Sequence, residues 1–330
     1  MQPHANLKLS LTKSKLKFKE MLEKKNIIDV ISPGTPCTKA EIKAIKDFLI
    51  NHNLSPNIFL EEQTSINHKN DHEFSEISSK YRFQQFQMAW ENPHSQVIWC
   101  SRGGYGSAEI IEFLSSMPKP KIEKIFIGFS DISSLNIFIN QQWKLPTICA
   151  PMLVQCAFDM VYSSSISTIL DLVSKKITQL DYQLINLKNH EFKEIYGEIV
   201  GGCVSVIAGN FATKNQIDWN QKILFLEDEG EDGERLDRYF QQITTIIKET
   251  HFKPLAIILG NFMQGNNHGT PKANNIKIAI EKFIKKTVDI PLFQEKTFCL
   301  GHSSNMMPIA TGVKAFIDSN NILKQTITDL

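Results

Sequence analysis

The first half of the chain alternates short apolar runs with stretches of helical periodicity. The runs are Ile27–Ile31, Val97–Cys100 and Ile125–Ile127, and each leads through a polar or glycine-containing loop into apolar residues spaced as on one face of a helix. Three such units in a row predict an α/β fold with a parallel sheet and helices on both faces. Ligands bind such sheets beyond the carboxyl ends of the strands, so we expect function in these loops.

The periodicity weakens between residues 161 and 194 and then starts again. This polar stretch, rich in Asn and Lys, predicts a connection between two domains. Beyond it, Ile223–Leu226, Leu255–Leu259 and Thr297–Leu300 are typical of strands. We therefore expect four parts: a basic extension at 1–26, an α/β domain at 27–160, a connection at 161–194 and a second domain at 195–330.

Length and charge exclude several classes of protein. The 330 residues are 42% hydrophobic and 22% charged, which is typical of a globular chain of about two domains. Basic and acidic residues number 36 and 35, so we expect no general attraction to nucleic acid. No window approaches the roughly 18 consecutive apolar residues of a spanning helix, so no transmembrane segment is expected.

Two features bear on where the protein works. Residues 1–26 hold seven Lys, and their apolar residues are interrupted, unlike the core of a secretory signal. We interpret this segment as a solvated extension, with a membrane-surface or partner contact as the alternative. The six Cys show no Cys-x-x-Cys spacing, which favours reduced, buried thiols and a cytoplasmic location, with export to the periplasm as the alternative.

Ser130 stands where the third apolar run meets a helical stretch, in Gly128-Phe129-Ser130-Asp131. A hydroxyl at such a turn projects from the carboxyl end of a strand, beside N–H groups that stabilise a developing oxyanion. Ser130 is therefore a candidate nucleophile. A helix N-cap is the alternative, because the second Gly of Gly-x-Ser-x-Gly is missing.

A glycine cluster follows the second apolar run, in Ser101-Arg102-Gly103-Gly104-Tyr105-Gly106-Ser107. Glycines let the backbone approach a ligand closely. The cluster matches neither Gly-x-Gly-x-x-Gly nor the P-loop, so a phosphate cradle is less well supported than backbone N–H groups that face an oxyanion. A tight turn without a ligand is the third interpretation.

An acidic run, Glu227 to Glu234, directly follows Leu224-Phe225-Leu226. It does not fit an EF-hand loop, whose third and twelfth positions would fall on Gly230 and Tyr239. We expect most of these carboxylates to be solvated. Glu227 differs because it ends the apolar strand, where a buried carboxylate needs a partner, and a His is the partner we expect.

Among the nine His, His302 follows Phe298-Cys299-Leu300-Gly301 and is delivered to a strand end. His268, in a polar loop, is the competing candidate. His68 and His72 have a spacing compatible with metal ligands on a helix, but their polar surroundings indicate a loop, and we expect no metal or other cofactor.

Ser130, Glu227 and His302 form a chemically coherent set. A Ser hydroxyl needs a general base, His can be that base, and a carboxylate fixes the His tautomer and stabilises the imidazolium. The chain order Ser, Glu, His also occurs in α/β-hydrolases, but the missing elbow motif does not fit that fold well.

The chain, from about Ile27 to about Ala315, resembles the LD-carboxypeptidase family, the muramoyl-tetrapeptide carboxypeptidases, whose relatives include the microcin C self-immunity proteins. The matching segments occur in the family's order. They are Arg102-Gly103-Gly104-Tyr105-Gly106, Gly128-Phe129-Ser130-Asp131, Pro151-Met152-Leu153, Gly201-Gly202, Leu226-Glu227-Asp228 with Arg235 and Arg238, Ile257-Ile258-Leu259-Gly260, and Gly301-His302 with Pro308 and Gly312.

The resemblance implies a serine hydrolase with Ser130 as nucleophile, Glu227 and His302 as its relay partners, and an oxyanion hole of backbone N–H groups near Gly104 and Asp131. It also implies a flavodoxin-like N-terminal domain, a β-rich C-terminal domain, a site between them and a homodimer. The implied reaction removes the terminal D-Ala from murein tetrapeptide in peptidoglycan recycling or remodelling.

Three questions stay open at the level of sequence. Arg102 is a candidate anchor for the substrate carboxylate, with an internal salt bridge as the alternative. A peptidyl or aminoacyl nucleotide is the alternative substrate, and a muropeptide-binding protein without activity is the third possibility. Cys203 follows Gly-Gly where many relatives have Asn, so substrate contacts at that turn are also open.

Overall fold

The computed structural model describes residues 27–59, 77–188, 192–250, 252–263, 271–297 and 299–327. The predicted extension at 1–26 lies outside these ranges, as do His68, His72 and His268. In the described part of the chain, no helix is both long and apolar enough to cross a bilayer.

The first half contains five strands and six helices among the described residues. The strands are β1 (Ile27–Ile31), β2 (Ser55–Ile58), β3 (Val97–Cys100), β4 (Ile125–Ile127) and β5 (Thr147–Cys149). The helices are α1 (Lys39–Asn51), α2 (Ser79–Glu91), α3 (Ile111–Leu114), α4 (Ser133–Phe138), α5 (Leu153–Ala157) and α6 (Ser163–Val173), with short 3₁₀ turns at Ser107–Ile110 and Ser130–Ile132 and a π turn at Ile139–Trp143.

The second half contains strands β6 (Gln179–Asn186), β7 (Ile195–Cys203), β8 (Ile223–Glu229), β9 (Ala256–Met263), β10 (Leu292–Glu295), β11 (Ile309–Thr311), β12 (Lys314–Ile317) and β13 (Ile322–Thr326). Its helices are α7 (Val204–Gly209), α8 (Gly233–Glu249) and α9 (Pro271–Lys286).

The first sheet has the order β11-β5-β4-β3-β1-β2. β1 to β5 pair in parallel, and β11 joins β5 antiparallel. Strands β3 and β4 are buried at every position, as expected of a parallel sheet covered on both faces. The order β2-β1-β3-β4-β5 is that of flavodoxin, so the predicted flavodoxin-like α/β domain is confirmed.

Local sequence explains how the first helix begins. The Thr38 hydroxyl accepts the N–H of Glu41 at 3.2 Å, and the Glu41 carboxylate accepts the N–H of Thr38 at 2.7 Å. This capping box satisfies two N–H groups that the helix leaves free. The chain turns back between β1 and α1, so the loop of residues 32–37 lies beyond the carboxyl edge of the sheet.

The second sheet is a closed barrel in the order β10-β6-β13-β12-β7-β8-β9, which confirms the β-rich second half. β7, β8, β9 and β10 are neighbours in parallel. Their carboxyl ends therefore meet at one rim of the barrel. Cys203, the last residue of β7, donates its N–H to the Ser133 hydroxyl at 3.1 Å, so this rim faces the carboxyl edge of the first sheet.

Three details differ from the expected course of the chain. The predicted connection at 161–194 contains β6, a barrel strand paired with β10 and β13. The predicted strand at Thr297–Leu300 is wrong, because the strand is β10, which ends at Glu295. Strand β11 belongs to the first sheet although it follows the barrel strands in sequence. The domain boundaries themselves stay a prediction.

Candidate active site

The turn after β4 holds Ser130 in an unusual backbone conformation. Its φ angle is +62°, in the left-handed region that a non-glycine residue seldom adopts. The residue at the N-cap of the turn is Phe129, which makes no side-chain cap hydrogen bond, so the sequence alternative of Ser130 as an N-cap is not what the structure shows. A strained Ser between a strand and a helix is the geometry of a nucleophile turn.

The loop after β3 packs directly on this turn. A Cβ atom built on Gly103 would lie 3.2 Å from the Ser130 Cβ and 3.5 Å from its hydroxyl, so a larger residue would crowd the serine. The loop after β1 joins them, because the N–H of Thr35 donates to the carbonyl of Gly103 at 3.0 Å. Three carboxyl-end loops therefore converge at Ser130.

Glu227 and His302 form a buried pair, as the sequence predicted. His302 Nδ1 donates to Glu227 Oε2 at 2.5 Å, and the His302 backbone N–H donates to the same oxygen at 3.1 Å. Glu227 is 2% exposed and His302 is 5% exposed. Because a carboxylate can only accept, this contact fixes the proton of the ring on Nδ1 and leaves Nε2 for other chemistry.

Gly301 gives the pair its close approach. Its φ angle is +90°, and a Cβ atom there would lie 2.7 Å from the Glu227 Cβ. Gly260, on the neighbouring strand β9, also has no room for a side chain, since its Cβ would lie 3.0 Å from the Glu227 Cβ and 2.5 Å from the Leu300 carbonyl. The two glycines form the slot that holds the Glu227 side chain.

Phe129 connects the pair to the turn of Ser130. The rings of Phe129 and His302 lie with centroids 4.5 Å apart, so Ser130, the next residue, is placed beside the pair. Within the described residues, no hydrogen bond joins the Ser130 hydroxyl to His302. Nε2 lies instead 3.5 Å from Glu229 Oε2.

Gly104 and Asp131, the predicted oxyanion donors, lie in the two loops that meet at Ser130. Gly104 has a φ angle of +90°, and a Cβ there would overlap the Thr35 hydroxyl, so the loop shape requires glycine. The Asp131 carboxylate accepts the N–H of Ser107 at 2.8 Å and ties its turn to the glycine loop. Burial raises the pKa of Asp131, and the hydrogen bonds from Ser107 oppose this rise.

Arg102 is engaged within the protein. Its Nη1 lies 3.0 Å from Glu41 Oε1 on α1, and its side chain is 36% exposed. The internal salt bridge that the sequence left as an alternative is therefore present. The guanidinium still reaches solvent beside Gly103, so it can also meet a ligand.

The acidic run differs from its predicted solvated state at Asp228, which is 1% exposed. Asp228 Oδ2 accepts the N–H of Ser205 at 2.7 Å. Burial first, and then the neighbouring Glu227 carboxylate, raise the pKa of Asp228 to about 7. Strand β8 is covered on both faces, so two consecutive carboxylates are buried where alternation predicts only one.

Family profiles match both halves of the chain. The profile of the LD-carboxypeptidase N-terminal domain matches residues 28–150, and that of the C-terminal domain matches residues 196–317. The chain belongs to the LD-carboxypeptidase family. It is therefore a carboxypeptidase, as the resemblance of its motifs implied.

Proteins similar to this LD-carboxypeptidase carry related names. The Bacillus subtilis protein named "probable murein peptide carboxypeptidase" is 24% identical over 299 residues, 90% of each chain. The crystal structure of muramoyltetrapeptide carboxypeptidase from Oxalobacter formigenes superposes with a TM-score of 0.72 at 18% identity, over 92% of this chain and 99% of that one. A structure of MccF in complex with glutamyl sulfamoyl guanosine has a TM-score of 0.69 at 19% identity, over 91% and 96%. At these identities the two structures confirm the fold.

Arg82 of this LD-carboxypeptidase is a residue that the sequence analysis missed. It is buried on α2, and its Nη1 donates to the carbonyls of Pro33 at 2.7 Å and Gly106 at 2.5 Å. It also pairs with Glu109. One guanidinium thus joins the loops after β1 and β3. In the sequence, Arg82 looks like an ordinary surface residue of a helix beside Phe83 and Phe86. Local pattern therefore does not predict its burial or its role.

The six thiols are free and buried, as the sequence predicted. Burial raises the pKa of Cys149 and Cys156 to about 12 and that of Cys203 well above its usual range, so these thiols are poor nucleophiles. Across the described ranges, no group of three His, Cys, Asp or Glu side chains is arranged to hold a metal.

Proposed function

We propose that this LD-carboxypeptidase is a serine hydrolase that removes the terminal D-Ala from murein tetrapeptide by cleaving the L,D peptide bond. Ser130 is the nucleophile, His302 the general base and acid, and Glu227 the residue that orients His302. The backbone N–H groups of Gly104 and Asp131 stabilise the oxyanion.

One observation carries this proposal. The Glu227–His302 hydrogen bond of 2.5 Å lies on the barrel rim, and the Phe129 ring, 4.5 Å from the imidazole, belongs to the turn that strains Ser130 to a positive φ. The barrel and the first sheet thus contribute different members of one set. Their chemical types match those of a Ser–His–carboxylate relay.

The reaction begins when His302 Nε2 takes the proton of the Ser130 hydroxyl. The oxygen attacks the carbonyl of the third residue, and the C–N bond to D-Ala breaks when Nε2 returns the proton to the departing amine. Water then attacks the acyl-enzyme with the same base, which releases a tripeptide and restores Ser130. General-base help contributes about 10²–10⁴-fold and one oxyanion donor about 10²–10³-fold to such reactions.

The terminal carboxylate of the substrate needs a cation. Arg102 is our candidate, because it directly precedes Gly103, whose backbone contacts Ser130, and because it stays partly exposed beside Glu41. We also keep the homodimer and the cytoplasmic location as predictions. The free thiols agree with a reducing compartment.

Mass spectrometry of murein tetrapeptide incubated with the protein tests the proposal. We expect the native chain to release one alanine and Ser130→Ala to be slower by about 10³-fold or more. Ser115→Ala is the matched control, because its exposed hydroxyl donates only to the carbonyl of Ile111, and we expect it to keep native activity. Equal release by the Ser130→Ala variant would remove Ser130 from the mechanism.

A nucleotide conjugate is the second candidate substrate, because the MccF structure that this chain resembles in fold holds glutamyl sulfamoyl guanosine. Aromatic stacking on the base would be the mark of such a site, and Trp143 and Trp219 are both buried, at 3% and 1% exposure. Neither of these two indoles can stack on a ligand, so we rank the muropeptide first on the names of the relatives. Hydrolysis of an aminoacyl sulfamoyl nucleoside without release of alanine from tetrapeptide would reverse this order.

A binding protein without activity is the third possibility. Covalent labelling by a fluorophosphonate separates it from a hydrolase, since only an activated serine reacts. We expect one label on Ser130 and none on the Ser130→Ala variant.

A further inference from the structure

Glu229 takes no part in the triad proposed above, yet its carboxylate faces the same imidazole. Side chains alternate along a strand, so Glu227 and Glu229 lie on one face of β8. Glu227 accepts from Nδ1 at 2.5 Å, and Glu229 Oε2 lies 3.5 Å from Nε2. The His302 ring therefore lies between two carboxylates of the same strand.

We propose that Glu229 is a positioning residue that competes with Ser130 for Nε2 of His302 and holds the resting site in a form that cannot take the serine proton. The inference rests on the proposed function, because it assumes that Ser130 and His302 exchange a proton.

The protonation state of the ring decides which partner Nε2 takes. Nδ1 keeps its hydrogen in both states, because the Glu227 carboxylate only accepts. When Nε2 also carries a hydrogen, it attracts the Glu229 carboxylate. When Nε2 presents its lone pair, the carboxylate repels it and a hydroxyl can donate to it. The Glu229 contact therefore belongs to the imidazolium and the Ser130 contact to the neutral ring.

The two carboxylates differ in their freedom to move. The side chain of Glu227 is 2% exposed, whereas that of Glu229 is 43% exposed. Glu229 can therefore turn into solvent with little loss of packing, while Glu227 stays in its slot between Gly260 and Gly301. This difference makes Glu227 the permanent partner of the ring and Glu229 an exchangeable one.

The charged groups that act on the His302 ring are all negative. The acidic groups that act on His302 most strongly are Glu227, Asp228 and Glu229, all on β8, and the neighbour from the turn after β4 is the uncharged Phe129 ring. Burial lowers the pKa of His302, but the three carboxylates raise it, and the net shift is upward. The neutral base therefore appears only as pH rises through this elevated pKa.

The test compares the native chain with Glu229→Gln in two assays. The first is the rate of Ser130 labelling by a fluorophosphonate as a function of pH, in which the Ser oxygen forms a bond to phosphorus, fluoride leaves and His302 takes the proton. The second is NMR titration of the His302 ring signal, identified by its loss in His302→Gln. Glu234→Gln, an exposed carboxylate on α8, is the matched control.

We expect Glu229→Gln to move both the acidic limb of the labelling profile and the His302 titration to lower pH. Labelling at acidic pH should then be faster than in the native chain, and Glu234→Gln should match the native chain. Unchanged midpoints in both assays, or a shift to higher pH, would overturn the proposal. Failure of the native chain to label would instead contradict the serine-hydrolase function, and the NMR titration alone would then decide whether Glu229 acts on His302.

Discussion

At the scale of single residues, the candidate site depends on backbone conformations that most side chains disfavour. Ser130 adopts φ +62°, and left-handed geometry costs a non-glycine residue about 1–2 kcal/mol. The turn after β4 holds this strain because Phe129 on one side and the glycine loop on the other are both packed. Gly301 contributes the complementary feature, a backbone that passes within van der Waals distance of Glu227.

Gly301→Ala tests this tight contact. The new Cβ would lie 2.7 Å from the Glu227 Cβ and 3.0 Å from its Oε2, so the Glu227–His302 pair must separate. We expect kcat/KM to fall at least about tenfold, equivalent to about 1.4 kcal/mol, and unfolding to become easier by about 1–3 kcal/mol from overpacking. Steady-state kinetics and denaturant unfolding measure the two effects.

Gly230→Ala is the control for backbone strain. Its φ angle of +89° matches that of Gly301 at +90°, but no atom lies within 4 Å of its Cβ position. We expect a small loss of stability and near-native kcat/KM. If both variants lost activity equally, backbone strain alone would explain the loss. The proposed role of the slot that holds Glu227 would then be wrong.

At the scale of elements, α2 supports the loops of the first sheet through one side chain. Arg82 donates to the carbonyls of Ile77, just before its own helix, and of Pro33 and Gly106, in two loops at the carboxyl edge of the first sheet. All three carbonyls belong to buried residues, and a substitution of Arg82 would remove the donor of all three at once. The glycine loop that packs against Ser130 thus depends on a side chain of α2.

Arg82→Lys keeps the charge but removes the fork of N–H donors. Each buried carbonyl left without a donor costs about 1–3 kcal/mol, so we expect a lower free energy of unfolding together with a lower kcat for tetrapeptide hydrolysis. Lys80→Ala, an exposed change on the same helix, should stay within about 0.5 kcal/mol. Native kcat in Arg82→Lys would show that the glycine loop keeps its shape without the fork.

At the scale of the whole molecule, the sheet and the barrel share structure. Strand β11 comes from the end of the chain but pairs with β5, and its Thr311 hydroxyl lies 2.8 Å from that of Thr147. One apolar cluster runs from Ile28 and Phe126 of the sheet to Phe225 and Leu323 of the barrel. The two halves therefore have a common core.

Calorimetry should show a single unfolding transition, because the two halves share one apolar cluster and the first sheet takes its edge strand β11 from the second half of the chain. Asn140→Ala removes donors to the carbonyls of Leu145 and Thr311 at this junction. We expect it to lower the midpoint of that single transition by a few degrees. Two resolved transitions in either protein would contradict this coupling.

Local pattern was sufficient for the residues that end strands. The runs before Ser130 and Glu227 are short and apolar, so both strands could be predicted, although β8 continues past Glu227 to Glu229. His302 was expected directly after a strand, but β10 ends seven residues earlier, at Glu295. Strand β6 was missed because its alternating buried and exposed residues lie in a polar stretch.

The sequence by itself determined the fold class and the family and suggested the three residues of the proposed triad, because periodicity and turn chemistry are local properties and the motifs follow one another in order along the chain. Tertiary structure alone decided that Arg102 pairs with Glu41, that Arg82 ties two loops together, and that Glu229 faces the ring which Glu227 holds. These contacts join residues up to 75 positions apart, and their partners are set by how a sheet edge meets a barrel rim.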